Sequence, residues 1–360
     1  MYQVQIRKRT FHFKQPAGTS RGVYLTRKSF FLSLSSEEKQ GVVGIGECAP
    51  LPDLSCDAMP DEEYERILRE NCDMFCQTGV IPIDAMRPYP SMLFGLETAL
   101  AHWQANGSTA LFDTPFSRGE QGVTINGLVW MGSFEEMYQR IEEKLQAGFH
   151  CVKLKIGAID WQKEIELIRF IRQHFSSQQI ELRVDANGGF SPEEAMTKLE
   201  QLAQYDIHSI EQPIRQHQWE EMAELCRVTP VPIALDEELI GVNDSIEKER
   251  LLDTICPQYI ILKPSLHGGM CGSEEWITLA RERGINSWVT SALESNIGLN
   301  AIAQWAAKVY MSRWDDGEEK LPQGLGTGQL FTDNIPLPLE IRGEQLWYDA
   351  TSSNSVLNCF

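Results

Sequence analysis

The sequence lacks any apolar run of about 18 residues, the length that a membrane-crossing helix needs. Its start, Met1 to Phe13, alternates polar and apolar residues and does not contain the apolar core of a signal peptide. Positive charge is scarce, because 32 Lys and Arg residues stand against 51 Asp and Glu residues, which gives a formal charge of −19 at pH 7. Such a charge repels nucleic-acid phosphates and anionic lipids. We therefore expect a cytoplasmic protein with no nucleic-acid or membrane partner.

The sequence also lacks cysteine pairs with the spacing that zinc sites use. Its nine cysteines are an odd number and are scattered along the chain, which predicts free thiols. With 42% hydrophobic and 23% charged residues, the composition is that of a folded protein with a large core. The 360 residues exceed the roughly 250 that an α/β barrel uses and leave room for a smaller second domain.

The apolar pattern changes near Thr124. Before this point, three strand-like stretches are followed by two helical patterns, which indicates a small α+β domain. After it, short apolar runs alternate with amphipathic helical segments, as in βαβ units. The eight runs are INGLVW, CVKLKI, IELRVDA, IHSIEQP, VPIALDE, YIILKPS, INSWVTS and QGLGTG. We predict an α/β protein with a (β/α)7β TIM-like barrel over residues 119–330 and an N-terminal α+β capping domain, residues 1–118, joined by the C-terminal segment 331–360.

Charged side chains end five successive runs of the predicted barrel, from the second to the sixth. They are, in chain order, Lys153 and Lys155, Asp185, Glu211, Asp236, and Lys263. Each interrupts an otherwise apolar strand, where an unpaired charge is costly to bury. Because the carboxyl ends of the strands of a parallel barrel meet on one face, we expect these residues to lie together at a candidate active site.

The lysines have the placement of acid–base groups. Lys153 and Lys155 are two residues apart on one strand, so both side chains point to the same face. Like-charge proximity and partial desolvation lower a lysine's pKa, and the neutral amine can act as a general base. Lys155 is the predicted base, and Lys263 would approach the opposite face of a substrate. Asn187 and Glu237 are expected to hold neighbouring charged groups in place.

Three carboxylates, those of Asp185, Glu211 and Asp236, would repel one another strongly unless a cation lay between them. Oxygen ligands favour Mg²⁺, with Mn²⁺ as the other candidate, over zinc. The alternative is a structural role for these charges, in which each carboxylate caps a helix or pairs with a base such as Arg183 or Lys153.

The motifs VKLKIG, RVDANGGF, IEQP, ALDEEL and ILKPS, in this order and spacing, resemble the barrel of the enolase superfamily. GIGECAPLP and FGLETALAHW are similar to its N-terminal capping domain, so the likeness covers most of the chain. A lysine on both the second and the sixth strand resembles the muconate-lactonizing-enzyme-like subgroup. The resemblance implies an enzyme that removes a proton beside the carboxylate of a small-molecule substrate. It implies Lys155 as base, Lys263 as the opposing lysine, Lys153 as the supporting lysine, and Asp185, Glu211 and Asp236 as Mg²⁺ ligands.

Several further residues are candidates for binding the substrate. SALESNIGL and GLGTGQLF resemble substrate-binding strand ends of the subgroup. The candidates are Asn187, Ser291, Leu293, Gly326 and Thr327 at the barrel mouth, and Arg21 in a capping loop. The loops Thr19–Arg21 and Leu51–Cys56 are expected to close over the barrel and exclude water.

The end of the eighth run bears on which reaction of the superfamily the chain catalyses. Dipeptide epimerases of the superfamily usually carry D-x-D at the end of the eighth strand, where Gly326-Thr327-Gly328 stands here. This absence counts against a dipeptide epimerase. The resemblance of SALESNIGL and GLGTGQLF to the strand ends of a dehydrating member of the subgroup implies dehydration of the substrate, while N-acylamino acid racemization and cycloisomerization stay open. A non-catalytic barrel would have no use for the matching charges. Whether the chain forms a homo-oligomer also stays open.

Overall fold

The structure, a computed structural model, describes residues 1–19, 22–130, 132–157, 160–311 and 320–352. It begins with a three-stranded antiparallel sheet, followed by helices. These elements are β1 (Tyr2–Thr19), β2 (Gly22–Ser36), β3 (Val43–Cys48), α1 (Asp61–Thr78), α2 (Ile83–Met86) and α3 (Pro90–Gln104). Helix α3 packs closely on β3 because glycines line the contact: a Cβ on Gly46 would lie 1.9 Å from the carbonyl oxygen of Gly95.

A parallel sheet with helices between its strands forms the next part of the chain. Its elements are β4 (Val123–Thr124), β5 (Gly127–Val129), α4 (Phe134–Gln146), β6 (Cys151–Lys155), α5 (Trp161–His174), β7 (Glu181–Asp185), α6 (Pro192–Ala203), β8 (Ser209–Glu211), α7 (Trp219–Val228), β9 (Ile233–Leu235), α8 (Ser245–Ile255), β10 (Tyr259–Leu262), α9 (Gly269–Glu282), β11 (Asn286–Val289) and α10 (Asn296–Ala306). Strands β5 to β11 form one seven-stranded sheet in chain order. Most of the buried apolar residues of these strands and helices form one large core, while Ala234, Ile261 and Trp288 form a separate cluster with Leu321.

The last predicted run closes the curled sheet. Gln323 forms a parallel bridge with Ile125, beside β5, and Gly324 forms one with Thr290, at the end of β11. The backbone amide of Gly324 donates to the carbonyl of Val289 at 2.7 Å. This segment therefore occupies the eighth strand position, and the predicted (β/α)7β barrel is confirmed.

The chain after the barrel runs over two surfaces. Phe331 forms a bridge with Phe13 of β1 and packs on Phe11, so this segment contacts the N-terminal sheet. The hairpin of β12 (Leu339–Arg342) and β13 (Gln345–Tyr348) instead pairs with β4, at the start of the barrel segment. The proposed division of the chain into domains stays a prediction.

Helix starts follow their local sequence where a cap is present. Ser191 accepts from the amide of Glu194, whose side chain accepts in return, and Pro192 occupies the first turn of α6. Helix α9 differs, because the pattern predicts a start at Ser273 whereas the helix begins at Gly269. Its first turn is rich in glycine, which disfavours helix locally, and a contact from the N-terminal domain stabilises it.

Two carboxylates from the N-terminal elements bind the first turns of barrel helices. Glu97 of α3 accepts from the backbone amides of Met270 and Cys271 in α9, the latter at 3.0 Å. Glu47 of β3 accepts from the amide of Gly298 in α10 at 2.9 Å. A carboxylate is stabilised at the positive end of a helix. These contacts fix the N-terminal domain against the barrel.

None of the helices in the described part of the chain has the length and apolar content to cross a membrane. Eight cysteines are free thiols, as expected, and Cys359 lies outside the described residues.

We predict that Glu97→Ala destabilises the protein by about 1–2 kcal/mol, because two amides of α9 lose their hydrogen-bond acceptor. Urea unfolding measures the difference from the wild type. The control is Glu65→Ala, which removes an exposed carboxylate that pairs with Arg69, both on α1. This substitution should change stability by no more than about 0.5 kcal/mol. Equal effects of the two substitutions would contradict the docking role of Glu97.

Candidate active site

Strand register brings the charged strand ends to one level. Lys155 is the Cα partner of Asp185, and Asp185 is the Cα partner of Glu211. Asp236 and Lys263 directly follow β9 and β10. The chain therefore places them together at the carboxyl ends of the strands, as the sequence predicts.

The two lysines of β6 contact the carboxylates of the next two strands. The Lys153 ammonium lies 2.9 Å from Oδ2 of Asp185 and also hydrogen-bonds Glu211. Lys155 donates to Oδ2 of Asp185 at 3.0 Å and to Oδ1 of Asn187 at 2.7 Å. Both lysine side chains are therefore held in place by these carboxylates.

Residues of the neighbouring strand ends complete the network. Lys263 donates to the buried carboxylate of Asp236. The amide nitrogen of Asn187 donates to Oε1 of Glu237 at 3.1 Å, so Asn187 links Lys155 to Glu237. Asn187 has a positive φ of 45°, in the left-handed region that asparagine tolerates better than most residues.

The pKa values follow from burial and from the mixture of charges. Burial raises the pKa of Glu211 well above its usual value, and the Asp185 carboxylate adds to this effect. Burial alone would raise the pKa of Asp185, but Lys153 and Lys155 outweigh it and hold that pKa below its usual value. Burial alone would lower the pKa of Lys153, but Asp185 and Glu211 raise it. The pKa of Lys153 is therefore raised rather than lowered, because its carboxylate neighbours outweigh the effect of burial.

The carboxylates fit a divalent cation by their chemistry. Oε1 of Glu211 and Oδ1 of Asp236 are buried, and neither has a hydrogen-bond partner among the described residues. A buried anionic oxygen without a partner is costly, and a hard cation would satisfy it. In the described ranges, however, no three Asp, Glu, His or Cys side chains are arranged as ready metal ligands. The lysine ammonium groups lie among the carboxylates, so a cation would share this space with them.

Arg183 does not neutralise the carboxylates, although the sequence leaves that alternative open. Its Nε donates to Glu181 at 2.6 Å, and its guanidinium lies 4.3 Å from the ring centre of Trp288. Glu181 stands at the opposite end of β7 from Asp185. Arg183 therefore pairs with Glu181 at the amino end of β7, away from the carboxylates at the carboxyl ends of the strands.

A cavity of about 100 Å³ lies over these groups. It is lined by the predicted site residues Lys153, Lys155, Asp185, Asn187, Glu211, Glu237, Lys263, Ser291, Leu293, Gly326 and Thr327. Asp236 pairs with Lys263 beside it, and Arg21 lies outside the described residues. Leu51 and Leu54 of the predicted capping loop also line the cavity. The structure thus brings the described candidates together, while their catalytic, metal-binding and substrate-binding roles stay predictions.

Sequence reasoning missed several uncharged lining residues. They are Tyr24, Asn126, Leu128, Trp130, Trp288, Thr290, Ala292 and Gly324. Trp130 ends the first apolar run and could have been found by the same strand-end rule that found the lysines; its ring centre lies 5.9 Å from the Lys155 ammonium. Tyr24 had no such signal, because it lies on β2, about 100 residues before the first strand of the barrel. The missed residues give the cavity an aromatic and apolar wall.

The sequence profile of the enolase C-terminal domain-like family matches residues 136–345. The chain belongs to this family and so to the enolase superfamily. It is 45% identical to o-succinylbenzoate synthase from Desulfotalea psychrophila, over 95% of this chain and 97% of the relative.

Solved structures give the same architecture. The crystal structure of MenC from Desulfotalea psychrophila LSv54 has a TM-score of 0.80 and 41% identity, and the match covers 96% of this chain and 99% of that chain. The dipeptide epimerase from Enterococcus faecalis V583, complexed with Mg and the dipeptide L-Leu-L-Tyr, has a TM-score of 0.78. Its identity is 19%, with 96% of each chain covered, so this second likeness shows the fold alone.

We predict that Lys263→Met destabilises the protein by about 3 kcal/mol or more in buffer with EDTA, because Asp236 is fully buried and would lose its ammonium partner. Urea unfolding measures the loss. The double variant Lys263→Met/Asp236→Asn removes the uncompensated charge and should recover part of that stability. A single variant as stable as the wild type would contradict the pairing.

Proposed function

We propose that this chain is an o-succinylbenzoate synthase, which dehydrates 2-succinyl-6-hydroxy-2,4-cyclohexadiene-1-carboxylate to 2-succinylbenzoate in menaquinone biosynthesis. The observation that carries the proposal is the 45% identity to such a synthase over 95% of the chain. This likeness extends over nearly the whole length of both chains. The substrate is accordingly a small-molecule carboxylate.

Lys155 is proposed as the base that removes the proton beside the substrate carboxylate. Its hydrogen bonds to Asp185 and Asn187 fix the position of its nitrogen. Lys155 and Lys263 both line the cavity, from strands four positions apart in an eight-position ring. A flat substrate between them would meet one amine on each face.

The metal ligands are proposed to be Asp185, Glu211 and Asp236, with Mg²⁺ as the ion and Mn²⁺ as a substitute. The partnerless oxygens of Glu211 and Asp236 support this set. When bound, the ion supplies positive charge that stabilises the negative charge developing on the substrate carboxylate as the proton leaves. The Enterococcus faecalis epimerase, which has the same fold, was crystallised with Mg.

The residues around the cavity account for the remaining steps. Neutral Lys155 takes the proton, the adjacent C–O bond breaks, and the ring becomes aromatic. In a syn elimination both groups leave from one face, so the Lys155 ammonium can return the proton to the departing hydroxyl, which leaves as water. Lys263 remains protonated and stabilises charge over the other face of the ring. Lys153, bound to Asp185 and Glu211, helps to balance the negative charge of these two carboxylates.

Dipeptide epimerization is the second candidate, because the epimerase of Enterococcus faecalis shares the fold. A dipeptide carries an ammonium group that a carboxylate must bind. The cavity lining beyond β11 consists of uncharged residues: Thr290, Ser291, Ala292, Leu293, Gly324, Gly326 and Thr327. This wall suits the synthase substrate better than a dipeptide.

We further propose that the protein acts in the cytoplasm on a freely diffusing substrate, which the free thiols and the negative net charge support. A homo-oligomer remains compatible with this proposal.

The experiment is an ultraviolet assay for 2-succinylbenzoate, whose aromatic ring absorbs, from the hydroxy-cyclohexadiene precursor. We expect turnover with Mg²⁺ and its loss in excess EDTA. Inactivity with Mg²⁺ present would contradict the synthase assignment, and an N-succinylamino acid and an L-Ala-L-Glu dipeptide assayed in parallel would then test the alternatives.

The same assay on variants tests the base. We expect Lys155→Ala to lower kcat by roughly 10³-fold. The matched control is Lys163→Ala, an exposed lysine on the helix that follows the same strand, which should retain full activity. A Lys155→Ala variant that retains wild-type kcat would remove Lys155 from this role.

A further inference from the structure

One buried arginine connects the capping loop to the barrel mouth. Arg27 lies on β2 and has 2% of its surface exposed. Its guanidinium donates to the carbonyls of Ala49 and Pro50, which directly precede the loop Leu51–Cys56. The same guanidinium donates to the carbonyls of Ala292 and Leu293, each at 3.3 Å. A single side chain therefore joins two segments more than 200 positions apart in the sequence.

Both segments reach the cavity. Leu51 and Leu54 line it from the capping side, and Ala292 and Leu293 line it from the barrel side. The four acceptors are backbone carbonyls, so Arg27 fixes the path of the main chain on both sides. The planar guanidinium with its five N–H donors can bridge such separate acceptors, whereas a lysine ammonium is a point charge.

The barrel segment is held in a conformation that side chains disfavour. Leu293 has a φ of +63°, in the left-handed region that is an outlier for a large side chain. Such a conformation persists when surrounding contacts impose it, and it is common where a side chain must be aimed at a ligand. The hydrogen bond from Arg27 to the Leu293 carbonyl is one of these contacts.

Neighbouring carboxylates hold the rest of the turn. Glu294 accepts from the amide of Ala292 at 2.7 Å and from the hydroxyl of Ser265. Glu47 accepts from the amide of Ser295 at 3.0 Å. These carboxylates also offset the buried charge of Arg27. The turn between β11 and α10 is thus fixed from the capping sheet and from the barrel together.

We propose that Arg27 is a positioning residue for substrate binding, which sets the distance between the capping loop and the Ala292–Leu293 turn and aims Leu293 at the cavity. This role rests on the proposed synthase function. Arg27 contacts neither the lysines nor the carboxylates of the site, so its part concerns the region of the substrate remote from the reacting carbon.

Kinetics of variants separate positioning from a merely structural role. We expect Arg27→Lys and Arg27→Met to raise KM, by roughly tenfold for the latter, with kcat within about twofold of wild type, because Lys155 and Lys263 stay in place. Loss of structure alone would lower kcat through the folded fraction and leave KM unchanged. If Arg27→Lys, the milder of the two substitutions, lowers kcat and leaves KM unchanged, the proposal is overturned.

A double-mutant cycle tests the link to Leu293. Leu293→Gly removes the side chain that Arg27 is proposed to aim at the cavity. It also relieves the backbone strain at this position. We therefore expect Arg27→Met to raise KM less in the Leu293→Gly background than in the wild type. Additive changes in KM would contradict the proposed coupling.

Hydrogen exchange gives a readout that does not depend on the reaction. Amides of residues 291–295 should exchange faster in Arg27→Lys than in the wild type, while those of β7 stay protected. Unchanged exchange in the turn would overturn the proposal even if the enzyme is active. A wild type that forms no 2-succinylbenzoate but shows the faster exchange in the variant would instead locate the failure in the proposed function.

Discussion

The buried charge balance at the carboxyl ends of the barrel strands is the constraint on which the site depends. Asp185, Glu211 and Asp236 are each at most 3% exposed, and none of them could remain ionised there without nearby positive charge. The closed ring of strands forces them together, because residues at the same level of neighbouring strands become neighbours. Lys153, Lys155 and Lys263 supply the balance through direct contacts. The arrangement keeps strong charges close to a cavity with an apolar wall, where water would screen them little from a bound molecule.

The N-terminal domain contributes to the site through main-chain contacts. Glu47 and Glu97 bind the first turns of α10 and α9, and Arg27 connects the capping loop to the turn before α10. All three side chains use backbone amides or carbonyls of distant segments. This mode of docking makes the cap a fixed wall of the cavity near these residues. The shape of the cavity therefore depends on the contact between the N-terminal elements and the barrel as well as on the barrel itself.

The charged centre could be predicted from the sequence, because a charge that ends an apolar strand is conspicuous and barrel geometry fixes where it goes. Lys155, Asp185 and Glu211 are register partners for this reason. The early start of α9 could not be predicted, since Glu97, which stabilises that turn, lies 173 residues away. Arg27 was missed on similar grounds: its acceptors are carbonyls, which every residue carries. Local patterns identify strand ends and caps, but not long-range contacts to the main chain.

Whether the strand-end carboxylates form a divalent-cation site can be measured by calorimetric titration of Mg²⁺ into the wild type, Asp236→Asn and an exposed control, Glu193→Gln. We expect one binding event per chain in the wild type and in the control, and affinity at least roughly tenfold weaker in Asp236→Asn. Equal Mg²⁺ affinity in all three proteins, or no binding to the wild type, would contradict the proposed cation site.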